Sequence, residues 1–170
     1  MTKKLIVLLL AIAPFVAFAQ TSKIAYVNAG EIFNLMPEID EVENQLSKKQ
    51  EEITKSGQAL EAEFNKKAEE FQKTLDTASE STKADQQKQL EQIQERYQMF
   101  QQNSYREMQE LQQKLLAPLQ EKISKAIKEV GDEKGYAYII DISTQNSPIV
   151  YINDASEDAT SLVKTKLGIK

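Results

Sequence analysis

The apolar residues of this 170-residue chain are placed with mirror symmetry about one turn-prone run, Thr77-Ala78-Ser79-Glu80-Ser81-Thr82. Ahead of the run lie Ile39, Val42, Leu46, Ile53, Leu60, Phe64 and Ala68, separated by charged and amide residues. Behind it lie Leu90, Ile93, Tyr97, Tyr105, Leu111, Leu115 and Leu119, spaced in reverse order. Paired outward from the turn, Ala68 meets Leu90, Phe64 meets Ile93, Leu60 meets Tyr97 and Ile53 meets Tyr105; then Leu46 meets Leu111, Val42 meets Leu115 and Ile39 meets Leu119. The residue numbers of every pair add to 157 or 158. Two antiparallel helices that fold back near residue 78 require that register. A hairpin of roughly 95 residues, rising about 1.5 Å per residue, makes an arm on the order of 60 Å long.

The stripe along this arm is thin, because Gln50, Gly57 and Lys67 stand where a filled seam would be apolar. Such an arm stands but opens easily. Phe64, Tyr97 and Tyr105 read as hairpin core. Phe71, Phe100 and Met108 have no apolar counterpart across the mirror, and Met99 and Leu116 lie off the main pairing line. They are candidates either for contact with a partner or for filling irregularities between the helices, with Phe100 opposite the vacancy at Gly57.

Met1 to Ala19 reads as a secretory signal peptide: Lys3 and Lys4, an apolar run from Leu5 to Phe18, and Ala17-Phe18-Ala19 as the cleavage site. Roughly 14 apolar residues fall short of the ~20 that span a membrane. No cysteine follows the run, so no lipid is attached there. The expectation is export and release in the periplasm, with no stable membrane insertion.

About 55 residues of the mature chain lie outside the arm, split between its ends, and a remnant of that size is marginal as an independent fold. Oligomerisation is therefore expected. Lys23-Ile24-Ala25-Tyr26-Val27 reads as a strand, and Asn28 with Glu31 as a capping box opening a short helix through Met36. The first arm helix should start at Pro37 and run to Asp76, with a flexible spot at Ser56-Gly57. The second should run from Lys83 to Glu133. Pro118 within it either kinks the helix or is a tolerated defect. Tyr136 to Ile142 alternates as a strand, Gln145 to Pro148 as a turn, and Ile149 to Ile152 as the returning strand of a β-hairpin. Asp154 with Glu157 suggests a second capping box for a final helix, Ser156 to Leu167. The expected class is α+β: residues 20–37 and 134–170 form a β body completed by oligomerisation, and 38–133 an arm with its tip near 77–82. Ile24, Tyr26, Val27, Ile139, Ile140, Ile142 and Val150 are the candidate oligomerisation residues.

The arm, Glu38 to Glu133, carries 21 acidic and 14 basic residues, and the rest of the mature chain is neutral. A net −7 arm disfavours nucleic acid and anionic membranes. With no Cys and no His, thiol chemistry and the commonest base and metal ligand are missing. No phosphate loop, nucleophile motif or calcium loop is present. No cofactor, metal or catalytic residue is expected, and the chain does not read as an enzyme.

The signal peptide, Lys23-Ile24-Ala25-Tyr26-Val27-Asn28, the Glu31-Ile32-Phe33 helix, the charged hairpin and Tyr138-Ile139-Ile140-Asp141 together resemble the Skp/OmpH periplasmic chaperones. The resemblance covers essentially the entire mature chain. It implies a homotrimer whose arms project from a shared β body. It also implies that the arms enclose unfolded outer-membrane β-barrel proteins and prevent their aggregation without ATP. Well-studied members are basic and have a lipopolysaccharide-binding role tied to basic residues. This chain is acidic and shows no such cluster, so that role does not carry over. The alternative is a structural coiled-coil adaptor of the cell envelope whose tip docks a folded partner. Its small polar tip, Ala78 to Thr82, lacks the aromatic or Arg anchors such docking favours.

Overall fold

A computed structural model of the protein describes residues 23–143, 149–153 and 156–169. The signal-peptide segment, the 145–148 turn and the Asp154 cap lie outside the described residues. In chain order the elements are β1 (Lys23–Val27), α1 (Ala29–Asn34), α2 (Ile39–Thr74), α3 (Glu80–Lys134), β2 (Tyr136–Asp141), β3 (Glu157–Asp158) and α4 (Thr160–Lys166).

Helices α2 and α3 form the antiparallel arm, and four cross-helix polar pairs report its register. Thr74 Oγ1 donates to Gln86 Oε1 at 3.0 Å near the tip, and Arg96 Nη1 lies 3.1 Å from Glu63 Oε1. Further down, Lys49 Nζ lies 2.7 Å from Glu107, and Lys122 donates to Glu38 at the base. The residue numbers of these pairs add to between 156 and 160, so the polar contacts follow the mirror read from the apolar residues. The turn is set by Ser79, whose Oγ caps α3 by accepting from the Thr82 amide at 3.2 Å. At the other end Gly135, at φ 68°, closes α3 through its amide to the Gly131 carbonyl. Pro118 sits within a continuous α3, which tolerates it.

The body joins the two ends of the chain in one sheet of order β2-β1-β3. The expected β-hairpin is not formed. β2 instead pairs with β1 in parallel, and residues 149–153 are not strand. A bulge at Ala137, where Lys23 faces Tyr136 but Ile24 faces Tyr138, also interrupts the expected alternation. Tyr136 and Ile139 therefore both lie on the helix-covered side. The final helix starts at Thr160, four residues later than expected. Glu157 and Asp158 are drawn into the sheet opposite Ala25 and Tyr26, and Asp158 Oδ1 then accepts from the Thr160 amide at 2.8 Å.

The core contains Ala25, Val27, Ile32, Met36, Val42, Leu119, Ile123, Ala126, Val130, Ala159 and Val163. Burying four residues from the last third of α3 anchors the arm rigidly in the body. Only half of the expected α1 capping box forms. Asn28 Oδ1 accepts from the Glu31 amide at 2.9 Å, but the Asn28 amide donates to Thr160 Oγ1 at 3.0 Å. Glu31, released from that duty, pairs with Lys164. A local cap has become a tie between the chain's two ends.

Candidate functional site

Two surfaces carry exposed apolar chemistry. The first lies along the arm, where the thin seam leaves two cavities between α2 and α3. One, of about 530 Å³, is lined by Leu60, Glu61, Phe64, Ile93, Gln94, Tyr97 and Gln98. The other, of about 430 Å³, is lined toward the body by Ile53, Gly57, Phe100, Ser104, Tyr105 and Met108, with Gln50, Thr54, Gln58, Glu61, Tyr97 and Gln101 at its rim. Both include Glu61 and Tyr97, so they form one continuous groove with an apolar floor and amide-rich edges.

The groove exists because small residues hold seam positions. Gly57 offers no side chain beneath Phe100, and Ser104, not the expected Tyr105, is the buried residue of its turn. Tyr105 is 68% exposed, its hydroxyl accepting from Gln109 Nε2 at 2.8 Å. The reading of Tyr105 as hairpin core is corrected accordingly. An offset of one residue along a helix moves a side chain by about 100°, enough to bring it out of a narrow seam.

The five candidate partner-binding residues separate by location. Phe100 and Met108 line the groove, and Phe71 is half-buried nearer the tip. Met99 is 58% exposed and lines neither cavity. Leu116 packs against the body core. Leu60, Phe64, Ile93 and Tyr97 also line the groove, although their pairing across the mirror reads simply as core. Thinness of the stripe was the available signal for them.

The second surface is the outward face of the sheet. Ile24, Tyr26, Ile140 and Ile142 share it with Ile149, Tyr151 and Ile152 around a cavity of about 240 Å³. Val150 is 99% exposed beside it. Val27 and Ile139 lie on the inner face instead, Val27 buried and Ile139 against Gly131 of α3. The Tyr136 hydroxyl is buried without a hydrogen-bond partner of good geometry. Burial, then the Glu157 carboxylate beside it, pushes Tyr136 up to about 12.

Charge pins the base of the arm and the final helix. Lys166 bridges Glu133 and Glu129, and hydrogen bonds to Glu133 and then Glu129 raise its pKa. The hydrogen bond from Lys122 lowers that of Glu38. Among the described residues no group of three or more His, Cys, Asp or Glu is placed to hold a metal ion. No helix among them is long and apolar enough to cross a membrane.

The family model for OmpH-like outer membrane proteins matches residues 23–167, the span of strand, arm, sheet and final helix just described. The chain belongs to the OmpH-like family. Relatives within it bear the name Chaperone protein Skp. That of Yersinia enterocolitica is 32% identical over 149 residues, covering 85% of this chain and 85% of its own. That of Photorhabdus laumondii is 28% identical over 159 residues, covering 91% and 92%. That of Photorhabdus luminescens is 31% identical over 132 residues, covering 75% and 78%. For an OmpH-like protein the groove and the sheet face are thus the surfaces to explain.

Proposed function

We propose that this protein is an ATP-independent periplasmic holdase. In this reading it is a homotrimer whose arms enclose unfolded outer-membrane β-barrel proteins and keep them from aggregating. The observation that carries the reading is the continuous apolar groove on a long arm, in a chain whose relatives are named as chaperones. A groove with a shallow apolar floor and amide edges suits weak, sequence-tolerant contacts. Many such contacts add through high effective concentration when arms surround one client, while each stays reversible.

The outward sheet face supports the trimer. An apolar face with Ile24 half-exposed and Val150 and Tyr151 largely open to water is costly in a lone chain and favourable against copies of itself.

The test is to dilute a urea-denatured outer-membrane β-barrel protein into buffer with the purified mature chain, without nucleotide, and to follow light scattering. Suppression by one trimer per client is expected. Unchanged aggregation at trimer excess would overturn the holdase reading and favour an adaptor that docks a folded partner.

A further inference from the structure

Glu61 stands at the junction of the two arm cavities, the one charged residue that lines either of them. Along the arm Glu63 pairs with Arg96 and Lys49 with Glu107, whereas Glu61, like Glu52 and Glu95, is in no ion pair among the described residues, and of these only Glu61 lines the cavities. An unpaired carboxylate between two apolar cavities is a recognition pattern: apolar, cation, apolar.

We propose that the groove selects extended peptide segments in which a Lys or Arg lies midway between two bulky apolar residues, the cation opposite Glu61. This rests on the holdase reading and specifies which stretches of a client are gripped. The cavities are centred on the order of 10–15 Å apart along α3. In an extended chain, residues four apart share one face and are separated by about 13 Å, with the intervening same-face residue between them. An apolar-x-basic-x-apolar segment therefore sets one large side chain in each cavity. Its cation comes over the Glu61 carboxylate, and its backbone groups meet Gln94, Gln98 and Gln101. Apolar burial supplies most of the affinity, and Glu61 fixes register and choice.

The test uses the full mature protein and two fluorescein-labelled peptides, Ser-Thr-Phe-Ser-Arg-Ser-Phe-Thr-Ser and its counterpart with Glu for Arg, read by anisotropy. The net-negative arm favours the basic peptide everywhere, so the deciding comparison is Glu61→Gln against Glu95→Gln. Glu95 lines neither cavity, and both changes are on exposed helix surface. The preference for Arg over Glu should fall about threefold in Glu61→Gln, the size of an exposed ion pair, and stay near wild type in Glu95→Gln. Equal losses in the two variants, or no binding of either peptide, would overturn the proposal. The scattering assay on the same samples separates the readings. Client protection that persists without peptide selectivity sinks the groove's choice alone, and loss of both sinks the holdase.

Discussion

A Cβ atom added to Gly57 would lie 3.4 Å from Cε1 of Phe100. The largest apolar side chain at mid-arm thus sits over the one seam residue without a side chain, and the groove opens around that mismatch. Gly57 is not held by its backbone, since it is helical with no positive φ. Gly57→Ala should accordingly gain helix propensity, about 0.5–1 kcal/mol, with the Phe100 ring in ordinary contact. The expected result is a higher melting temperature by circular dichroism, together with weaker client protection as the groove fills. A lower melting temperature would show that the ring cannot yield.

The arm register is tested by disulfide trapping. Cysteines at Leu60 and Tyr97, which line the same cavity, should oxidise within one chain. Cysteines at Leu60 and Leu111 are about fourteen residues out of register, too far for a disulfide without large backbone movement. Preferential trapping of the second pair, read by mobility on a non-reducing gel, would contradict the hairpin.

The outward sheet face is tested by Ile140→Asp. With that face as the proposed trimer interface, an unpaired charge within it should cost several kcal/mol and leave monomers by multi-angle light scattering. An intact trimer would place the interface elsewhere.

Client binding should rest mainly on apolar contact. The Debye length falls from about 8 Å at physiological ionic strength to about 3 Å at 1 M. Raising salt over that range should change client affinity less than replacing Phe71, Phe100 and Met108 together by Ser. The reverse order would mean that charge holds the client.

Two ties in the body have separate signatures. Thr160→Val removes the acceptor of the Asn28 amide at a buried position and should cost about 1–3 kcal/mol in urea denaturation, with Thr160→Ser close to wild type. Tyr136 titrates in the folded protein at about 12, above its unfolded value near 10. Its contribution is fully present below pH 10 and lost as pH rises toward 12. Tyr136→Phe should retain its stability across that window, where wild type loses it as tyrosinate absorbance grows. Parallel losses in both proteins would assign the alkaline transition to other groups, such as Lys166.

The arm was determined by the sequence alone. Seven apolar pairs and a polar turn report local periodicity, and helix pairing within one chain follows from period and mirror without reference to anything distant. The thinness of the seam was legible too, since Gln50 and Gly57 stand in the stripe, but the groove it leaves was not. Tertiary structure alone decided the rest, because it depends on competition between residues far apart in the chain. Asn28 and Glu31 read as a complete local box until Thr160, from the other end of the chain, takes the Asn28 amide. Ile149 to Ile152 has strand composition, yet β1 takes both of its neighbours from β2 and β3 in parallel. Strand propensity says that a segment can pair, not with which edge. Likewise Ser104 and Tyr105 are adjacent in sequence, and only the rotation of α3 against α2 decides which one enters the seam. The groove around Glu61 depends on that same rotation.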